Sequence, residues 1–243
     1  MIKAILFDLD NTLLDFMQFK KETAKSAAKA MVEQGIPATE KEIYGKIFSV
    51  YQEKGIEYQK TFYEVVAPYS LEPGQAERIQ QAGIIAYLKR KFEVLKPYPE
   101  VKPTLEKLRK KGLKLGIVTD APRNKAWQRL IMAGLENEFD FVITYNDTME
   151  FKPHPSPFKL ALARLNDNAV SGSEVSGFGT QNRKLETEPD EVLFVGDHPG
   201  KDVKGAKAMG MKTALAQYGQ HFRTNDEADY VIKKFEELLE LAK

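Results

Sequence analysis

The feature that most constrains the fold is a set of short apolar runs that do not alternate with polar residues. Ile2–Phe7, Leu113–Val118, Phe139–Thr144 and Val192–Val195 are each of strand length. A strand with one wet face alternates, so an unbroken apolar strand must be covered on both faces, as in a parallel sheet. Thr213–Ala216 reads as a weaker fifth strand and Tyr230–Ile232 as an edge. Helical patterns separate most of these runs. Val101–Lys111 carries Val101, Leu105 and Leu108 on one stripe, takes Pro103 in its first turn and stops at Gly112. Pro122–Ala133, Phe158–Leu165 and Pro199–Met209 follow the next strands. Alternating strand and helix predicts an α/β fold built on a doubly wound, mainly parallel sheet.

One stretch breaks the alternation. Residues 15–97 read as helical throughout. Gln18–Gln34 is alanine-rich and ends near Gly35, and Thr39-x-x-Glu42 is a capping box opening a helix towards Lys54. Glu57–Ala67 and Gly74–Phe92 continue the pattern until Pro97 and Pro99 close it. The expected organisation is a Rossmann-like core from 1–14 and 98–243 with an all-helical domain, 15–97, inserted between the first two strands. A turn-rich excursion between Asn166 and Pro189 is expected to be a mobile loop or a hairpin. Lys233–Lys243 is expected to be an amphipathic closing helix.

Composition excludes several classes of function. Lys+Arg 36 against Asp+Glu 35 leaves a formal charge of +1, so no basic field selects a nucleic acid. Cysteine is absent, which removes disulfides, thiolate catalysis and cysteine-ligated zinc. No apolar run approaches the ~20 residues of a spanning helix, and Ile2–Phe7 is too short for a secretory leader. No membrane partner is expected, and the expected location is cytoplasmic.

Chemistry-bearing residues recur where the apolar runs end, and ligands of open α/β sheets bind beyond the carboxyl ends of strands. Asp8-Leu9-Asp10-Asn11-Thr12 follows the first run, and Thr119-Asp120 the second. Thr119 offers a hydroxyl beside amides that open a helix, a place for an anion; a plain helix cap is the alternative. Phe151-Lys152-Pro153-His154-Pro155 follows the third run, with Lys152 stiffened by its flanking proline. Gly196-Asp197-His198-Pro199-Gly200-Lys201-Asp202 follows the fourth. Asp8, Asp10, Asp197 and Asp202 gathered together would repel one another. A divalent cation removes that conflict, and Mg2+ suits a site of few carboxylates and several waters. Magnesium prefers oxygen, so His154 and His198 are not expected to be ligands. Phe16, Met17, Lys20 and Lys21 follow the first motif, where they either face a substrate or form a hinge with a solvated face. Trp127 is expected to pack on its helix.

This order of motifs resembles the haloacid dehalogenase-like superfamily, in the branch with a helical cap inserted after the first motif. Asp8 to Thr12 is similar to its first motif, Thr119 to the second, Lys152 to the third, and Gly196-Asp197 through Asp202 to the fourth. The resemblance spans residues 1 to about 216. It implies that Asp8 is a nucleophile forming an aspartyl-phosphate and that Asp10 is the general acid and then the base. It implies that Thr119, Lys152 and the amides at and around Asp120 hold the phosphoryl group. Mg2+ would sit on the Asp8 carboxylate, the Asp10 carbonyl, Asp197 and Asp202. Asp120 departs from the usual neutral or small residue at its position, and its side chain is expected to turn away from the phosphate. The implied activity is hydrolysis of phosphate monoesters of small, soluble metabolites. A phosphomutase or a 2-haloacid dehalogenase of the same superfamily is the near alternative, and a non-catalytic binding protein a more distant one. Asp10 argues against the dehalogenase, whose relatives lack an acid there.

Overall fold

A computed structural model describes residues 1–167, 187–221 and 227–242. The chain divides into two compact units, Met1–Asp15 with Lys96–Lys243, and Phe16–Leu95. Among the described residues the first unit is built on six strands: β1 (Ala4–Phe7), β2 (Lys114–Val118), β3 (Phe141–Ile143), β4 (Val192–Gly196), β5 (Lys212–Ala216) and β6 (Tyr230–Ile232). They lie in the order β3-β2-β1-β4-β5-β6, with every pairing parallel. β1 and β4 are buried along their whole length, which is why their sequences are apolar without alternation. The strand order turns back between β1 and β4. Their carboxyl ends therefore open the crevice where this topology places ligands.

The second unit holds α1 (Phe16–Glu33), α2 (Glu40–Lys54), α3 (Thr61–Val66) and α4 (Pro73–Val94). α1 buries Phe16, Phe19, Lys20, Thr23, Ala24, Ala27, Ala28 and Met31, a stripe at three- and four-residue spacing. α1 packs most extensively on α4, and small residues on its stripe let the two helices approach. Thr39 opens α2 with both halves of the expected capping box: its amide donates to Glu42 Oε2 (2.8 Å) and the Glu42 amide donates to Thr39 Oγ1 (3.3 Å). The expected helix over Glu57–Ala67 is shorter, Thr61–Val66. Gly55 adopts φ 90 and the chain turns there, closed by Tyr58 N–H donating to Gly55 O (3.1 Å).

The remaining helices cover the sheet: α5 (Val101–Lys110), α6 (Arg123–Ala133), α7 (Tyr145–Thr148), α8 (Pro155–Asn166), α9 (Lys204–Ala208) and α10 (Leu238–Leu241). Phe158, Ala161 and Leu165 of α8 pack with Ala4, Leu6, Val192 and Phe194 of the central strands. Four sequence expectations are corrected here. The run Phe139–Thr144 gives a strand only at Phe141–Ile143, because Thr144 turns out of the ladder to cap α7, its amide donating to Asp147 Oδ2 (2.8 Å). The helix expected over Pro199–Met209 begins as a wide turn at Pro199–Val203 before α9. The C-terminal helix is a tight turn at Phe235–Glu237 followed by α10, since Phe235 turns inward against Phe7, ring centroids 5.6 Å apart. Trp127 does not pack inward: it is 39% exposed, because α6 turns Ala126, Arg129 and Leu130 to the interior instead.

Both connections to the helical unit leave the sheet unit side by side. Leu14 bridges to Pro97, and the Tyr98 amide donates to Leu13 O (3.0 Å). Among the described residues no helix is long and apolar enough to cross a membrane. Most of the Asn166–Pro189 excursion, residues 168–186, lies outside the described residues.

Candidate active site

The loops beyond β1, β2, β3 and β4 bring buried charges together. Asp8 extends β1 by one ladder bond, its amide donating to Val195 O (2.9 Å). Lys152 follows β3 and α7 and is buried. Its ammonium lies 2.6 Å from Asp8 Oδ1, 2.7 Å from Asp202 Oδ1 and 2.9 Å from Val118 O. The contacts to Asp8 and Val118 are hydrogen bonds, and the contact to Asp202 is an ion pair. The position of the cation is therefore set by three different loops.

Asp8, Asp197 and Asp202 are all buried, and each offers a ligand oxygen within 4.8 Å of the others. Gly196 makes this possible. A Cβ at Gly196 would lie 2.4 Å from Asp202 Cγ, so only glycine admits that carboxylate. The wide turn at Pro199–Val203 points Asp202 back, where its Oδ2 accepts from the His198 amide (3.0 Å).

Fully ionised, three carboxylates against one ammonium would leave two negative charges in excess, the charge of one divalent cation. Burial, then the nearby Asp8 and Asp202, push the Asp197 carboxyl far above the ordinary carboxylate range. Burial likewise raises Asp8, opposed by Lys152 and reinforced by Asp202. Burial pulls Lys152 down, but Asp202 and Asp8 more than offset it and hold the ammonium protonated. An oxygen-only donor set with unmet negative charge fits a hard cation such as Mg2+.

The other candidates occupy different roles. Thr119 is buried after β2, and its Oγ1 accepts from the Ala121 amide (3.1 Å). The N-cap of α6 is Pro122, so the helix-cap reading of Thr119 does not hold. Asp120 faces protein: Oδ1 accepts from the Lys152 amide (2.9 Å) and Oδ2 pairs with Lys201 (3.0 Å). It ties the Lys152 loop to the loop after β4. His154 caps α8 through the Ser156 amide (3.3 Å), and burial lowers His198 below its ordinary value. Asp10 stands apart from the three-acid cluster, with its Oδ2 2.5 Å from the guanidinium of Arg129 on α6.

The first-motif turn is clasped from behind by the loop after β5. Asn11 takes φ 60, the Tyr218 hydroxyl donates to Thr12 O (2.8 Å), and Tyr98 packs edge-on to Tyr218 at 4.9 Å. A Cβ on Gly219 would fall 1.6 Å from Asn11 O, so the two backbones meet where no side chain fits.

Residues 2–210 match the family of haloacid dehalogenase-like hydrolases. The chain belongs to that family. It is 33% identical over 247 residues to a glyceraldehyde 3-phosphate phosphatase of Methanocaldococcus jannaschii, covering 100% of this chain and 98% of the relative. A phosphoglycolate phosphatase of Aquifex aeolicus is 28% identical, with 99% and 96% covered. Among solved structures, a HAD phosphatase from Thermococcus onnurineus superposes with TM-score 0.69 at 28% identity, covering 99% and 97% of the two chains. The fold expected from the apolar runs is that of this haloacid dehalogenase-like hydrolase.

Four contributors in this hydrolase were not singled out from the sequence. Arg129 and Lys201 each pair with an acid of the motifs, and Tyr218 with Gly219 seats the first-motif turn. Arg129 carried a readable signal, since it interrupts the apolar stripe Ala126–Leu130 that faces the core. Lys201 and Tyr218 carried none, because their partners lie 81 and 206 residues away in sequence.

Proposed function

We propose that this hydrolase cleaves phosphate monoesters of small molecules with Mg2+, through an aspartyl-phosphate on Asp8. The observation that carries the reading is the buried constellation of Asp8, Asp197, Asp202 and Lys152, in which three acids exceed one ammonium by the charge of one divalent ion. The relatives named for glyceraldehyde 3-phosphate and phosphoglycolate act on short-chain phosphate monoesters, and we assign substrates of that class here.

In this reading Asp8 Oδ attacks phosphorus as the ester P–O bond breaks, and the Asp10 carboxyl passes its proton to the departing alkoxide. Asp10 then takes a proton from the water that attacks the aspartyl-phosphate, releasing inorganic phosphate and restoring Asp8. Lys152 holds Asp8 in place and offsets the negative charge of the phosphoryl group. Thr119 and the amides around Asp120 are the assigned phosphoryl contacts. Asp8, Asp197, Asp202 and the Asp10 carbonyl are the assigned holders of Mg2+, which would supply further charge neutralisation when bound. We assign the inserted helices, residues 16–95, as the cap domain of the family branch.

The test is phosphate release from glyceraldehyde 3-phosphate, 2-phosphoglycolate and p-nitrophenyl phosphate, with Mg2+ and with EDTA. Metal-dependent turnover is expected, and Asp8→Asn is expected to lower it roughly a thousandfold or more. Undiminished phosphate release by Asp8→Asn sinks the proposal.

A further inference from the structure

Arg129 is 4% exposed, and burying a guanidinium is expensive unless an anion receives it. Asp10 receives it, across 119 residues of sequence, at 2.5 Å from Nη1 to Oδ2. Arg129 sits on the inward stripe of α6 between Ala126 and Leu130, where packing alone favours an apolar residue. Asp10 itself lies on a turn pinned on several sides: Asp10 bridges Leu14, the Asn11 amide donates to Leu14 O (2.7 Å), and Tyr218 and Gly219 press on Thr12 and Asn11. The backbone of the turn is thus held by other contacts. What Arg129 adds is the direction of the carboxylate.

We infer that Arg129 is a positioning residue for proton transfer by Asp10. A guanidinium only donates hydrogen bonds, so the carboxylate oxygen it holds is not the one that carries the exchangeable proton. Pinning Oδ2 assigns proton exchange to Oδ1 and fixes where Oδ1 points. Proton transfer to a leaving alkoxide needs the donor at hydrogen-bond distance at the moment of bond breaking, and a misplacement of about 1 Å can cost about a hundredfold. The inference rests on the reading of Asp10 as the proton donor in ester cleavage.

The consequence is a dependence on the leaving group. An alkoxide needs a proton to depart, whereas p-nitrophenolate leaves without one. Arg129→Met keeps the stem and removes the guanidinium. It is expected to lower kcat for an alkyl phosphate such as 2-phosphoglycolate by about 10- to 100-fold, with KM within about threefold, and for p-nitrophenyl phosphate by less than about threefold. Arg129→Lys, which restores a donor to the carboxylate, is expected to recover part of the alkyl phosphate rate. Melting temperatures of both variants show whether they fold, and the ratio of the two substrate rates is read on folded protein at saturating Mg2+. Equal losses on both substrates, or no loss on either, overturn the role of Arg129. Should Arg129→Met not fold, the substrate ratio of Arg129→Lys decides in the same way, an unchanged ratio overturning the role. Neither result touches the wider proposal, which falls only if Asp8→Asn leaves phosphate release intact.

Discussion

Lys152 of the sheet unit and Lys20 of the helical unit are both buried, and their surroundings differ. Lys152, 3% exposed, meets two carboxylates, the Val118 carbonyl and, at 5.5 Å, the ring of Phe194. Lys20, 5% exposed on α1, lies within 4.5–5.7 Å of the rings of Phe16, Phe19, Tyr51 and Tyr87, and donates to Ile56 O (2.9 Å) and the Tyr87 hydroxyl (3.3 Å). Ring faces and neutral acceptors can receive an ammonium ion without placing a second full charge in the interior. Carboxylates receive it more strongly, but three of them overshoot and leave the cluster needing a further cation. The first arrangement suits a packed helical unit, the second a centre that binds ions and anions.

Four measurements test that difference. Lys152→Met carries the largest expected effect: phosphate turnover falls roughly a thousandfold or more, and urea unfolding of metal-free protein shows a loss of about 3 kcal/mol as three acids lose their ammonium. A loss no larger than that of Lys20→Met would erase the distinction. Gly196→Ala comes next. Its Cβ displaces Asp202, so Mg2+-induced stabilisation should need about tenfold more metal, and stability should fall by about 1–3 kcal/mol. A wild-type titration curve would show that the glycine is not what admits the carboxylate.

The third concerns pH. Asp8 and Asp197 have folded-state values raised above their ordinary 3.8, so the folded chain holds protons that the unfolded chain has released. Their contribution to stability is therefore present below the ordinary carboxylate value and is lost as pH rises from there towards the raised folded values. Metal-free protein should lose this contribution between mildly acidic and alkaline pH, and Mg2+ should raise the melting temperature more at pH 8 than at pH 5.5. A metal effect independent of pH contradicts the cluster. The smallest effect is that of Lys20→Met, which should leave kcat within about threefold and shift stability by about 1 kcal/mol. A large kcat loss there would make Lys20 part of the chemistry and end the contrast.

Much of the α/β unit was legible in the sequence. The apolar runs of β1, β2 and β4 name their own burial, because a strand covered on both faces cannot carry polar residues. Asp8, Thr119 and Asp197 were legible for a related reason: polar residues immediately after such runs fall at strand ends, and a parallel sheet places those ends together; Lys152, beyond β3 and α7, was legible from its place between Phe151 and Pro153. The capping box at Thr39 was equally readable, since a cap is a contact between residues three apart. Lys20 was not: it is buried, so a solvated face does not describe it. Its neighbours Tyr51 and Tyr87 come from other helices, and no local pattern announces a ring cage. The length of α3 and the wide turn at Pro199–Val203 were also hidden, because each depends on contacts that form only after the chain has turned.

Sequence alone therefore determined the class of fold and predicted a helical insertion and the acids and lysine of a candidate site. Those properties follow from periodicity and from residues close together in the chain. Tertiary structure alone decided how the charges are shared. It sent Asp10 to Arg129 and not to the three-acid cluster, turned Asp120 onto Lys201 and the Lys152 amide, and seated Asn11 and Thr12 against Tyr218 and Gly219. Each of those pairings joins residues tens to hundreds of positions apart. A charge chooses its partner by distance and burial in space, and neither exists until the sheet has brought the loops together.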